Sequence, residues 1–562
     1  MSAEPVSSEV SEALPSAGVP SPASPVGLDV RQLGWIRPLV GDYAFDYQKV
    51  APLYAGNPAL PAAWGEAIAR RQASRTSTTG IAAILAAQQD RRGAPAPARE
   101  AAARLADRQT VAVVTGQQAG AFGGPLYTLL KAITAIQLAR RVSAEQGAAV
   151  VPVFWVDAED HDWDEVRACT VLDAEFQPRT VTLAEPEGAG ELPVAALTLD
   201  ARISASLDAL AAALPQTDFS AMVTASLAAA YQPGTGMATA FARWIEGLLG
   251  PHGLVVFESA DQAAKALARP VFIRELRAPG RTSELAAEAG ERLAALGHQP
   301  QVVPQPDSLA LFHLNSGRRA IRRQDDHFLI AETAVTAEAL VREAEDTPAH
   351  FSPNVLLRPI VQDTLFPTIC YVAGPSELAY LGQLAGVYEH FSLPMPLMFP
   401  RGSATLIDSP TTRFLGKYDF PLQDLRPQDE SALNRLLESQ LPPEVEQSLK
   451  DADQAIRTSL QRVIEAMPAL DPTLAGAART TVSKMEHDLR ALHGKVISAA
   501  KRRDDTLRRQ FSRAQAQIFP LGHAQERTLG VVFFLNRYGP ALVDRLLEEL
   551  PLEMGQHWLV TI

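Results

Sequence analysis

Residues 111–165 read VAVVTGQQAGAFGGPLYTLLKAITAIQLARRVSAEQGAAVVPVFWVDAEDHDWDE. VAVVTG is a short β-branched run suited to a central strand. VVPVFWV, residues 150–156, is apolar at every position, as a strand covered on both faces must be. Between them Leu126, Leu129, Leu130, Ile133, Ile136 and Leu138 recur at helical spacing over about 125–142. Strand, helix and strand make a βαβ unit, and open parallel sheets bind ligands beyond the carboxyl ends of their strands. Both carboxyl ends are polar here. Gly116, Gln117, Gln118, Gly120, Gly123 and Gly124 follow the first strand, and Pro125 then suits the first turn of a helix. Asp157, Glu159, Asp160, His161, Asp162, Asp164 and Glu165 follow the second.

Glycines let backbone N–H groups approach a ligand, and a helix amino end favours an anion, so phosphate or carboxylate is expected at Gly116–Pro125. The spacing matches neither a dinucleotide fingerprint nor a Walker loop, which leaves a plain tight turn as the alternative. The acidic run with its one imidazole could supply a general acid or base, a cation seat or hydrogen bonds to a substrate amine. A solvated, helix-capping loop is the alternative there. One histidine among carboxylates lacks zinc-type spacing, so no tightly bound metal is expected, and Mg²⁺ is expected only with a nucleotide.

Outward from this unit the chain divides by composition. Residues 1–26, rich in Ser, Pro, Ala and Glu, are expected to form a disordered tail. Residues 27–165 form the first part of the core and 166–250 a first insertion. GLVVFES within 251–264 supplies another core strand, and 265–350 form a second insertion. There the run Arg318, Arg319, Arg322 and Arg323 reads as a solvated hairpin face. Residues 351–425 return to the core, with strand FPTICYVAG running into Gly374-Pro375-Ser376-Glu377 and a helix to about 391. Ser376 sits in GPSEL, not GxSxG, and reads better as a helix cap than as a nucleophile. Residues 426–518 carry apolar residues at spacings of three and four on either side of Pro468 to Pro472, as an antiparallel coiled-coil arm does. Residues 519–562 are expected to dock on the core.

The chain has 562 residues, enough for several domains, and a formal charge of −13. That balance argues against a broad nucleic-acid or anionic-membrane surface and for a small partner. Cys169 and Cys370 are too few for a disulfide framework. With no signal-like start and no long apolar run, a cytoplasmic protein is expected.

TGQQAGAFGGPLYTLLKA (115–132), PVFWVDAEDHDWDE (152–165), VAGPSELAY (372–380) and the late FP…QERTL…FFLNRYGP segment together resemble the bacillithiol biosynthesis cysteine-adding enzymes. The resemblance covers nearly everything after residue 28. It implies an α/β fold with a Rossmann-like parallel-sheet core related to class I aminoacyl-tRNA synthetases, two inserted subdomains and an α-helical coiled-coil arm for homodimerisation. The implied reaction joins cysteine, through its carboxylate, to the amine of glucosaminyl malate. Amide formation from a free acid is uphill in water, so ATP activation of the carboxylate is expected. Asp160, His161 and Asp164 would then orient or deprotonate the incoming ammonium. Thr115, Gly116, Gln117, Gln118, Gly123, Gly124, Tyr127, Trp155, Glu159, Gly374, Ser376 and Glu377 would hold substrate. The resemblance also implies a site for ATP or ADP near the coiled-coil junction, involving Tyr380, Gln383 and Arg527. Two other readings stand beside this one: a non-catalytic dimer binding a nucleotide or sugar acid, and a Mg²⁺-assisted hydrolase or transferase.

Overall fold

Five parallel strands form the central sheet of the computed structural model, which describes residues 24–75, 80–315, 317–441, 443–467, 471, 474–503 and 505–562. They are β1 (Val111–Gln118), β2 (Val150–Asp157), β3 (Val255–Glu258), β4 (Thr368–Ala373) and β5 (Leu397–Pro400). In space they lie in the order β5-β4-β1-β2-β3. This is the Rossmann order 3-2-1-4-5 read from the other edge, with its reversal between β1 and β4. β1 stays paired with β2 to its last residue, Gln118 with Asp157, whereas its register with β4 ends at Val114 with Tyr371. A crevice opens where those two strands part. Thr115 closes its floor: the side chain is fully buried and its hydroxyl donates to the Val372 carbonyl at 3.0 Å.

Helix α1 (Leu126–Gln146) crosses from β1 to β2 and buries residues on nearly every face, because the sheet lies on one side and the C-terminal helices on the other. The glycine turn before it serves packing. Gly123 has φ +93°, and a Cβ there would fall inside the Trp244 ring. Its N–H donates to the Tyr231 hydroxyl at 3.3 Å, that of Gly124 to Ala121, and that of Leu126 to the Leu529 carbonyl at 2.8 Å. The anion cradle expected at Gly123 and Gly124 is therefore corrected: the plain-turn alternative holds, and these amides are spent within the protein. Gly123→Ala should lower stability by at least about 2 kcal/mol, from strain at positive φ plus overpacking, a shift readable in a urea unfolding midpoint.

The first insertion is a hairpin, Ala168–Leu172 with Pro178–Thr182, followed by three helices, of which the last, Met237–Leu249, packs against β3. The second places helices Gln262–Arg277 and Arg281–Ala295 beside a five-stranded antiparallel sheet ordered Thr333–Thr336, His327–Ile330, Arg319–Gln324, Ser308–His313 and Phe351–Pro353. The helix expected to run to 391 is two, α2 (Pro375–Leu381) and α3 (Ala385–His390). At the break Gly382 lets Tyr54 approach, since a Cβ would lie 2.9 Å from its hydroxyl.

Most of the expected tail, residues 1–23, lies outside the described residues. Its last residue begins strand Val26–Asp29, which joins Gln556–Thr561 and Ser403–Ile407 in a small sheet that ties the two ends of the chain together. The arm is narrower than 426–518: helices Pro443–Ala466 and Leu474–Arg503 pair, while Asp505–Ile518 packs Leu507, Phe511 and Ile518 against Phe414, Leu425 and Leu436 as a base. Arg457 meets Glu486 at 3.2 Å and Glu446 meets His493 at 3.5 Å, so the two helices run antiparallel. The expected break at Pro468 to Pro472 lies largely outside the described residues. Both cysteines are free and buried. No helix among the described residues is long and apolar enough to cross a membrane.

Candidate active site

The crevice at the parting of β1 and β4 is a cavity of about 320 Å³. Five basic side chains reach it. Lys131, on the second turn of α1, is 2% exposed, donates to the Gly116 carbonyl at 2.7 Å and Gln117 Oε1 at 3.1 Å, and pairs with Glu377 at 2.5 Å. Arg358 donates to the Tyr380 hydroxyl at 2.9 Å and Gln362 at 3.0 Å, and its Nε lies 3.8 Å from Asp157. Arg401, just after β5, forks onto Glu526 at 2.7 and 2.8 Å. Arg318 comes down from the second insertion over the Phe312 ring to meet Asp160 at 3.0 Å. Arg527 stands 5.8 Å from the Tyr127 ring centre, with no polar side-chain partner among the described residues.

Carboxylates face them. Burial raises the Asp157 carboxyl against the pull of Arg358, and raises Glu159 although Lys265 is paired with it. Glu165 is also raised, by burial first and then by Asp162, Asp160 and Asp157, with only the Gln118 amide opposing. Glu377 and Glu526 go the other way. Burial alone would raise them, but Lys131 and Arg401 respectively outweigh it and hold both below the ordinary carboxylate range. A carboxyl lowered on folding stabilises the fold above its unfolded value, about 4.3 for Glu, and that contribution is lost as pH falls through the folded value. These two pairs therefore loosen only in acid.

Of the residues expected to hold substrate, Gly116, Gln117, Gln118, Tyr127, Trp155, Glu159, Gly374, Ser376 and Glu377 line the crevice. Thr115, Gly123 and Gly124 do not, for the packing reasons above. Asp160 lines it, but His161 and Asp164 turn outward into a separate hollow with Asp162, Arg167 and Glu185. Asp164 is 80% exposed and bound to Arg167. His161 is nearly half exposed and leans on Asp160 at 3.1 Å. Asp162 accepts from the Glu165 N–H and caps the turn Trp163–Val166, so the acidic run is part helix cap and part crevice wall. Accordingly His161→Ala should leave kcat/KM within about threefold, as for an exposed side chain. Steady-state kinetics decides it, and a hundredfold loss would return His161 to the catalytic set.

Ser376 is not the cap of α2. Gly374 occupies that position, and the Glu377 carboxylate accepts from its N–H at 2.6 Å. Of the expected nucleotide set, Tyr380 and Arg527 both line the crevice, but Gln383 does not join them. The Gln383 side chain is fully buried and bonded to Ala286 and Val302, where it ties the second insertion to the core; the Tyr380 hydroxyl is taken by Arg358. Arg527 alone stays open, at the meeting of the crevice with two neighbouring hollows.

Sequence reasoning missed Lys131, Arg358 and Arg401, and assigned Arg318 to a solvated face. Arg319, Arg322 and Arg323 are exposed as expected. Lys131 carried a signal: it lies one turn after Tyr127 on the helix stripe that faces the glycine turn, where an apolar residue was otherwise due. Arg318 carried none.

A parallel Rossmann-like sheet, a switch-point crevice lined by buried charges of both signs and an attached coiled coil define an α/β protein built to hold a small charged ligand at the strand ends. The family model described as "Bacillithiol biosynthesis BshC, N-terminal Rossmann-like domain" matches residues 28–402, and its companion "C-terminal coiled-coil domain" matches 404–562. A protein of Salinibacter ruber is 37% identical over 94% of this chain and 97% of its own. Proteins of Koribacter versatilis (78% of this chain, 82% of their own) and Chlorobaculum tepidum (80% and 82%) are each 34% identical. All three carry the provisional name cysteine ligase BshC. The chain belongs to the BshC family and is a ligase of bacillithiol biosynthesis.

Proposed function

We propose that the chain joins L-cysteine, through its carboxylate, to the amine of glucosaminyl malate, with ATP activating the acid. The observation that supports this most is the pairing of charge in one crevice. A malate-bearing amino sugar brings two carboxylates and an ammonium, and cysteine brings one of each. Lys131, Arg318 and Arg358 suit the carboxylates, while Asp157, Glu165 and Asp160 suit the ammonium groups. An amine attacks only when neutral. A carboxylate whose pKa is raised by burial is the better proton acceptor, and this favours Asp157 or Glu165 as the base. Gln117 and Gln118 are held by Tyr127 and Glu165 and offer amides to sugar hydroxyls.

ATP, with Mg²⁺ on its phosphates, supplies the activation when bound. Among the crevice cations Arg527 is the one free to meet a phosphate, and this favours a nucleotide at that end. The test is incubation of the full chain with cysteine, glucosaminyl malate and ATP, with the amide followed by mass spectrometry. AMP release supports an adenylate and ADP an acyl phosphate; tight nucleotide binding without amide would leave the non-catalytic reading in its place.

The arm pairs two chains in this reading, because Val445, Val463, Met485 and Leu492 are exposed on it. Light scattering should give about twice 60.4 kDa, and Met485→Asp with Leu492→Asp should halve that mass. A wild-type mass of one chain would sink the dimer. The reaction belongs in the cytoplasm, where Cys169 and Cys370 stay reduced.

A further inference from the structure

A second set of donors lies outside the crevice, in the second insertion. His313 ends strand Ser308–His313, Glu343 stands on helix Ala337–Asp346, and His350 closes the turn before strand Phe351–Pro353. Glu343 Oε1 is 3.0 Å from His313 Nε2 and 2.6 Å from His350 Nδ1, and the three donor atoms lie within 4.8 Å of one another. Donors around a tetrahedral ion at about 2.0–2.1 Å stand about 3.3 Å apart, so side-chain adjustments of about an ångström seat one.

The backbone already holds this arrangement. His313 and Phe351 face each other across antiparallel strands, and the Leu314 N–H donates to the His350 carbonyl at 2.8 Å. The Thr347 N–H donates to the Glu343 carbonyl at 2.7 Å, ending the helix so that the chain returns toward His313. His313 is buried against Phe351, while Glu343 and His350 are partly open, which leaves a fourth position toward solvent. Two imidazoles and a carboxylate with an open position form the donor set of a zinc-class divalent ion. The expectation of no tightly bound metal came from sequence spacing, and spacing could not reveal donors that a strand, a helix and a turn bring together.

We propose that His313, Glu343 and His350 bind one zinc-class ion and thereby pin the roof of the crevice. Arg318 follows shortly after His313, and Pro353, Asn354 and Val355, which also line the crevice, follow shortly after His350. One ion holding both strands fixes the approach of the Arg318 guanidinium to Asp160.

The test uses the full chain, stripped by chelator and titrated with Co²⁺, with d–d absorption as the readout and Zn²⁺ as competitor. Saturation at one equivalent is expected. Glu343→Gln and His350→Ala should each weaken binding by more than about tenfold, since even outer-shell changes cost that much. Glu343→Gln keeps the side chain's shape, and circular dichroism checks that both variants are folded. Amide exchange over 351–355 should slow when Zn²⁺ is added. No saturable binding, or binding unchanged in both folded variants, overturns the site and leaves a hydrogen-bonded His–Glu–His cluster. Saturable binding with unchanged exchange overturns the roof-pinning role.

Discussion

Lys131→Met should abolish amide formation and cost about 3–5 kcal/mol of stability, the usual price of removing one partner from a buried ion pair. The ammonium is 2% exposed and sits between Glu377, the Gly116 carbonyl and Gln117. Removing it leaves the Glu377 carboxylate with only the Gly374 N–H and the Tyr371 hydroxyl. It also frees the end of β1 to shift at the point where substrate would lie. Stability and chemistry separate in the double variant Lys131→Met/Glu377→Gln. With both charges gone, most of the lost stability should return, while turnover should not, because the cation held at the end of β1 is missing. Urea unfolding and the amide assay report the two effects. Near-normal turnover in the single variant would remove Lys131 from the working set and reduce it to a strut between α1 and α2.

Arg318→Ala should cut kcat/KM for the sugar acid by about 10- to 100-fold, the equivalent of one lost hydrogen bond to a charged group, about 1.5–3 kcal/mol. The loss should fall mainly on KM, since the guanidinium roofs the crevice and its partner Asp160 is 39% exposed and can return to water. For the same reason the melting point should barely move. Arg318→Lys should restore little, because an ammonium cannot reproduce the planar fork. A folded Arg318→Ala protein with unchanged KM would show that the roof does not touch substrate.

The sheet was legible because its strands are apolar at nearly every position, a pattern that only a doubly covered parallel strand requires. β1, β2 and β3 stand where the runs VAVVTG, VVPVFWV and GLVVFES place them, and α1 begins at Leu126, with Pro125 as the extended residue that caps it. The pairing of the arm was legible from apolar spacing alone. Half of the crevice was legible too, since residues at strand ends point into it whatever the rest of the chain does: Gly116, Gln117, Gln118, Asp157, Glu159 and Gly374 did so.

Spacing could not say which polar residues past a strand end turn inward. Asp160 and His161 are neighbours, yet only Asp160 reaches the crevice, at its border with the outer hollow, where Arg318 meets it from a hairpin far along the chain. The glycine turn looked like an anion site until Leu529, Tyr231 and Trp244 arrived from remote segments to fill it.

The sequence by itself determined the strands, the crossover helix, the arm and the end of the sheet at which ligands gather, since each depends on periodicity within one segment. Tertiary structure alone decided where the cations stand and which amides are already spent. A buried charge is tolerable only beside a partner, and here those partners lie more than a hundred residues away: Glu377 for Lys131, Glu526 for Arg401 and Asp160 for Arg318.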